Sequence, residues 1–483
     1  MSDQTTGNSV LGGMFWKLGE SLLSQGTAFV ISLILARILE PNDYGTIALV
    51  TVFINLASVF IRSGFSTALI QKKDADATDF STMFICSQAC SLAIYGILYF
   101  AAPLVADFYR IPQLAVIMRV LSLQIPLGVY SSIQTAYVSR HMLFRKVFYA
   151  TFVNTLISGA AGITLALMGA GVWALVAQTL MATLVNSVML TLLLPWRPRW
   201  IFSRERAKSL MSYGSRVLAA DLSGDFFYEL RSIIIGRVYT GADLAFYNKG
   251  QQIPLLITNN LSNMLNTVMF PAIANHSDDL VQAREMVRRS MRILGFILFP
   301  CMLGLSAVME PLILLLFTDK WAAAIPYGRI LSISASLNLV ANFSLYVLKA
   351  IGRSEVVLGL EFRKKPVYVV AILLGVRHSV LGLAAAVLCY DFFELGINFS
   401  QLRKHIHYSG REQLQDLLPS ALLALTMAAA VFLLPSVGGS LLTLAVKVAA
   451  GAAVYVAGAV IFRLDAMKNI LDLLKNLPLF RKK

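Results

Sequence analysis

Apolar runs of membrane-crossing length recur along the whole chain, separated by short polar joints. A helix rises about 1.5 Å per residue, so about 20 apolar residues cross the roughly 30 Å hydrocarbon core of a bilayer. Fourteen runs meet that length, over about 12–36, 44–70, 80–104, 113–138, 147–168, 171–194, 209–236, 242–271, 288–317, 322–348, 355–376, 379–401, 415–435 and 440–462. Without water at depth, only a helix satisfies every backbone polar group of such a run. The pattern predicts an all-α polytopic membrane protein with about fourteen transmembrane helices.

The seventh run breaks the apolar rule most clearly. Residues 209–237 read SLMSYGSRVLAADLSGDFFYELRSIIIGR and carry Arg216, Asp221, Asp225, Glu229 and Arg231. A charge at bilayer depth costs roughly 2.5–3.5 kcal/mol, so such residues need a wet cavity or partners. At 100° per residue Asp221, Asp225 and Glu229 fall within about 80° of one another, and the arginines fall on a roughly opposite flank. The arginines lie near the two mouths and can snorkel to the interface. The acids are short and central, so they are expected to face a cavity or an ion pair, as candidate ion-coupling groups.

The joints alternate in charge. Of 41 Lys and Arg, 28 fall in joints on one side of the predicted membrane, Arg363, Lys364 and Lys365 among them, and 5 on the other. The positive-inside rule then places both termini in the cytoplasm. Composition agrees: 57% of residues are hydrophobic, only 14% are charged, and the mean hydropathy is +0.70. The net charge of +15 is therefore mostly topology, and a nucleic-acid partner is not expected. The start MSDQTTGNSVLGG lacks a basic n-region, so no cleaved signal peptide is expected. Cys86, Cys90, Cys301 and Cys389 all lie in apolar runs without metal or redox spacing, and read as small buried hydrophobes. The outer joints are too short for a catalytic domain, so no enzyme is expected. No Walker, Gly-rich phosphate or zinc motif occurs, so no cofactor is expected and any energy comes from a gradient.

An internal repeat adds architecture. ILARILEPNDYG at 34–45 matches IIGRVYTGADLA at 234–245 with a constant offset of 200. Arg37 pairs with Arg237 and Asp43 with Asp243. An even number of helices between the copies makes the duplication parallel. It predicts an N-lobe of helices 1–6 over 1–200, a C-lobe of helices 7–12 over 201–410, and an extra pair, 13–14, with a basic tail over 411–483. The matched Arg and Asp residues read as loop-setting caps.

Other polar residues lie at depth: Lys17 and Glu20 in the first run, Arg62 in the second, Arg329 and Asn338 in the tenth, Asp391 and Glu394 in the twelfth. The eighth run carries Lys249, and Asn259, Asn263 and Asn266 at i, i+4, i+7 form a polar stripe, although amide stripes also serve as interhelical packing. Pro254 and Pro271 allow bends there. Lys17, Arg62, Arg216, Lys249, Asn259, Asn263 and Arg329 are the candidate substrate-binding residues, suited to a phosphate or pyrophosphate.

LARILEPNDYGTIAL, RSGFSTALIQKKD and NMLNTVMFPAIANHSDD resemble the Wzx-type polysaccharide and O-antigen flippases, nearest the colanic-acid-exporter branch, of the multidrug/oligosaccharidyl-lipid/polysaccharide (MOP) exporter superfamily. The resemblance covers nearly the whole chain in layout. It implies a V-shaped cavity between two six-helix lobes, as in MATE exporters, and alternating access in a bacterial inner membrane. It also implies an undecaprenyl-diphosphate-linked oligosaccharide as cargo, membrane lipids as surroundings, and a polysaccharide polymerase and chain-length regulator as candidate partners. The alternative is a MATE-like cation-coupled drug antiporter. That would want an acidic first-lobe cavity, against which Lys17 and Arg62 stand.

Overall fold

The structure, a computed structural model, describes residues 24–61, 69, 76–141, 143–276 and 279–467. Among the described residues there is no strand. The helices are α1 (Ser24–Ile38), α2 (Pro41–Ile61), α3 (Ala77–Tyr109), α4 (Gln113–Leu121), α5 (Gln124–His141), α6 (Phe144–Leu167), α7 (Val172–Leu193) and α8 (Arg204–Val238). They continue as α9 (Gly241–Met264), α10 (Phe270–Ala274), α11 (Leu280–Phe317), α12 (Ile325–Ala350), α13 (Ser354–Val376), α14 (Val380–Ile406), α15 (Gly410–Leu433) and α16 (Ser440–Ile461). Ten helical stretches among the described residues are long and apolar enough to cross a membrane, α4 and α5 together counting as one. Each of the fourteen apolar runs read from the sequence holds a helix. Those over α8, α9 and α13 are long but too polar to meet that measure.

Prolines explain where the helices break. Pro126 cannot donate to the carbonyl of Ser122, and the chain turns at Ser122–Leu123 between α4 and α5. Pro271 has the same effect downstream of α9. The chain answers with a wide turn over Leu265–Met269, in which the Phe270 N–H donates to the Leu265 carbonyl.

Two compact units divide the chain, 1–245 and 246–483, the boundary falling inside α9. In the first, Ile31 and Leu35 of α1, with Leu39 just beyond it, pack on Ala174 and Leu175 of α7. The 197–203 joint is tied down at the start of α3. Asp76 caps α3 through the N–H groups of Thr78 and Asp79, and the Arg206 guanidinium donates to Asp76. The Ser81 and Thr82 hydroxyls accept from the N–H groups of Arg199 and Ser203. The repeat copies set their turns in the same way: Asp43 accepts from the Glu40 N–H at 3.2 Å, and Asp243 from the Thr240 N–H at 3.1 Å. That is the loop-setting role read from the sequence.

The second unit has a core of Met291, Leu298 and Met302 of α11, Val340 and Phe343 of α12, Phe399 and Leu402 of α14, and Ala424 and Met427 of α15. An ionic clasp fastens α15 to α11. Asp416 accepts from Arg288 Nε at 2.9 Å and Arg292 Nε at 2.7 Å, and from the Tyr408 hydroxyl at 2.8 Å; Arg284 pairs with Glu412. The cysteines depart from expectation. Cys86 and Cys90 are half-buried, while Cys301 and Cys389 are exposed. Both stand on outward faces of α11 and α14, where an apolar run gives no sign of which side faces the core.

Candidate functional site

The acidic stripe of α8 is graded in exposure. Asp221 is exposed, Asp225 half-buried and Glu229 buried. Glu229 accepts from Asn55 Nδ2 of α2 at 2.9 Å, so its charge has a partner 174 residues upstream. Arg231, also buried, lies over the Tyr228 ring at 5.1 Å. Arg237 lies over the Phe108 ring at 5.1 Å. Two close approaches hold this end of α8. A Cβ on Gly236 would stand 2.1 Å from Leu49 Cδ2, and one on Gly45 2.0 Å from the Gly241 carbonyl oxygen. Lys17 and Arg62 lie outside the described residues, as does the side chain of Arg216.

In the second unit, Lys249 is buried at 6% exposure. Its Nζ sits 4.9 Å from the Phe317 ring centre and 5.4 Å from that of Trp321, and donates to Gln252 Oε1 at 3.2 Å. An aromatic box of this kind stabilises a cation by about 2 kcal/mol when water is excluded. Three turns further along α9, Asn259 and Asn263 are exposed, as is Asn266 in the wide turn. These amides are therefore open on one face of the helix and are not consumed as packing glue. Each offers two donors and one acceptor oxygen.

Arg329, in the first turns of α12, pairs with Glu310 at 2.9 Å and covers the Phe432 ring at 5.3 Å. It borders a cleft of about 340 Å³ with Ser436, Ser440, Thr443 and Lys447. The structure thus shows Asn259, Asn263 and Lys249 on one helix, Asp221, Asp225 and Glu229 on another, and Arg329 on α12, paired with Glu310.

One cluster was only half visible in the sequence. Lys364, counted there among the joint cations, is buried at 1% exposure inside α13. Its Nζ is 2.6 Å from Glu394 Oε1 and 2.8 Å from Glu361 Oε1. Asn338 Nδ2 reaches Glu394 Oε2 at 3.4 Å, Asn342 donates to Asn338 at 2.8 Å, and the Ser334 hydroxyl donates to buried Asp391. The i, i+3 pairs Glu361–Lys364 and Asp391–Glu394, each inside a run, were the available signal.

Helices of crossing length with charged and amide side chains at depth define a polytopic membrane transporter scaffold. The family model for polysaccharide biosynthesis proteins matches residues 34–326, well over half of the chain, and the chain belongs to that family. It is 26% identical over 344 residues to the succinoglycan biosynthesis transport protein ExoT of Rhizobium meliloti (strain 1021), covering 70% of this chain and 69% of that one. It is 24% identical over 371 residues to the lipopolysaccharide biosynthesis protein WzxC of Escherichia coli (strain K12), covering 76% and 75%. Among solved structures, the fold resembles the lipid II flippase MurJ in an inward closed conformation. The TM-score is 0.77 at 13% identity, over 94% of this chain and all of that one. An inward-facing MATE transporter of the MOP superfamily follows, with a TM-score of 0.62 at 16% identity over 80% and 94%. The Wzx-type, MOP-superfamily resemblance read from the local motifs agrees with these relatives.

Proposed function

We propose that the chain is a flippase that carries undecaprenyl-diphosphate-linked oligosaccharide repeat units from the inner to the outer leaflet of a bacterial cytoplasmic membrane. It works by alternating access of two lobes, 1–200 and 201–410, with 411–483 as an added helix pair. Fourteen helices span the membrane, both termini are cytoplasmic, and transport is coupled to H⁺ or Na⁺. Membership of the polysaccharide biosynthesis family supports a glycan cargo. The observation that carries the reading is the set of open amides, Asn259 and Asn263 on α9 and Asn266 in the wide turn that follows it. Such amides match the alternating donors and acceptors of sugar hydroxyls, where a lipid-facing helix would be apolar. Asp221 and Asp225 are the exposed and half-exposed acids through which an ion could act. Lys17, Arg62 and Arg216 are the proposed diphosphate contacts, and a polymerase and a chain-length regulator receive the cargo.

The test is lipid extraction from a deletion strain. Accumulation of polyprenyl-diphosphate oligosaccharide on the inner leaflet, with loss of surface polysaccharide, supports the flippase. Normal surface polysaccharide with altered sensitivity to cationic drugs would instead indicate an antiporter and refute it.

A further inference from the structure

We propose that α11, α15 and α16 build a binding site for one anionic phospholipid of the surrounding bilayer, with its phosphodiester at Lys447 and one acyl chain in the apolar groove beside it. The site does not depend on the flippase reading.

A groove of about 550 Å³ runs between these three helices. Two glycines make room for it. A Cβ on Gly451 would stand 3.0 Å from Val431 Cγ2, and one on Gly304 3.2 Å from Met427 Cε. Pro300, Leu305 and Val308 of α11, Val431 of α15 and Val448 of α16 line it. Tyr455 lines it too, but its hydroxyl already donates to the Phe296 carbonyl at 2.9 Å. Along α11 the lining runs from Pro300 to Leu312, and along α16 from Leu444 to Val456. At 1.5 Å per residue each stretch is about 18 Å long. Half of a roughly 30 Å hydrocarbon core is about 15 Å, so the groove is one leaflet deep. That length suits the acyl chain of a phospholipid, and an undecaprenyl tail would outrun it.

Lys447 joins the groove to a polar cleft. It lines the groove and also the cleft of about 340 Å³ that Arg329 borders. Its Cα lies about 10 Å inside the start of α16 at Ser440. It is half-buried and is the only charged residue of that helix. Among the described residues it makes no hydrogen bond and no ion pair. A cation at such depth needs an anion or a way to water. The other charges of the cleft answer each other: Arg329 pairs with Glu310 at 2.9 Å and lies over the Phe432 ring. One positive charge is left over, which matches the single negative charge of a phosphodiester. A diphosphate, with two or more, would exceed it. Ser436 and Ser440 on the same cleft offer hydroxyls to a glycerol headgroup. An ethanolamine headgroup would bring a second ammonium to a cleft whose lining carboxylate, Glu310, is already taken. Phosphatidylglycerol brings none.

The experiment releases the full chain from nanodiscs of equal phosphatidylglycerol and phosphatidylethanolamine and counts the retained lipids by native mass spectrometry. The wild type should retain phosphatidylglycerol with about fivefold preference. Lys447→Gln should bring that ratio to about one, and Lys447→Arg should keep it. Ala452→Phe, at an exposed position of the groove lining, fills the groove and should lower retention of both lipids. Equal retention by the wild type, or a preference unchanged in Lys447→Gln, overturns the headgroup site and leaves Lys447 as a lysine that reaches water. Unchanged retention by a folded Ala452→Phe overturns the acyl groove. Displacement of phosphatidylglycerol by equimolar undecaprenyl phosphate would give the site to the carrier lipid and refute the phospholipid assignment. Should Ala452→Phe not fold, the two Lys447 variants decide alone. None of these outcomes bears on export, which lipid accumulation in the deletion strain tests by itself.

Discussion

Gly45 and Gly241 meet backbone to backbone: a Cβ built on Gly45 falls 2.0 Å from the Gly241 carbonyl oxygen. Gly45 lies in the first repeat copy and Gly241 in the second, so the two turns that share a sequence also touch. Gly45→Ala should force this contact apart and destabilise the protein by about 1–3 kcal/mol. Gly96, in the middle of α3, has nothing within 4 Å of its Cβ direction. Gly96→Ala should therefore be neutral or stabilising by up to about 1 kcal/mol. Thermal midpoints of the two variants give the comparison, and equal losses would refute the contact.

The α8 acids should divide by burial. Glu229→Ala leaves the Asn55 amide without its carboxylate and should lower stability by about 1–3 kcal/mol. Asp221→Asn, at an exposed position, should change stability by less than about 0.5 kcal/mol while lowering export. Unfolding midpoints and surface-polysaccharide yield, measured on the same variants, separate the two effects. Unaltered export by Asp221→Asn would count against a coupling role there.

Lys249 should behave as a structural cation. Lys249→Ala empties the Phe317–Trp321 box and should cost about 2 kcal/mol. Lys249→Arg, which keeps the charge, should recover much of that. Should Lys249→Ala instead fold with wild-type stability and lose export, the lysine belongs to cargo binding.

Asp416 is the hub of the clasp between α11 and α15. Its replacement by Ala leaves Arg288 and Arg292 without their shared carboxylate and should cost on the order of 3 kcal/mol. Limited proteolysis near 406–412 reports the release, and an unchanged cleavage rate would show that the core alone holds α15.

The Arg206 guanidinium holds the Asp76 carboxyl at about 2, below its ordinary value. A depressed carboxylate stabilises the fold above its unfolded value near 4 and loses that contribution as pH falls toward 2. The difference in Tm between wild type and Arg206→Ala should therefore be constant from about pH 5 to 8 and shrink below about pH 4. A difference that grows on acidification would assign Arg206 another partner.

Much of this was legible beforehand because it depends on local pattern. Apolar runs of fixed length become helices, and Asp43 and Asp243 cap their turns from three residues away. The spacing of Asn259, Asn263 and Asn266 sets one face. What escaped depends on partners far along the chain. Nothing near Lys249 announces Phe317 and Trp321, 68 and 72 residues downstream. Lys364 was grouped with the basic joint because Arg363 and Lys365 flank it, yet only the middle residue of the three turns inward. Nothing near Arg329 in the sequence announces Glu310, 19 residues upstream, which pairs with it.

Of the described cations at depth, Lys249 is committed to rings and Lys364 to carboxylates, whereas the open surface of α9 is uncharged amide. Under the proposed function, such a wall would grip the sugar part of the cargo through neutral hydrogen bonds, a hold that salt does not screen, and would leave recognition by charge to the diphosphate end of the molecule.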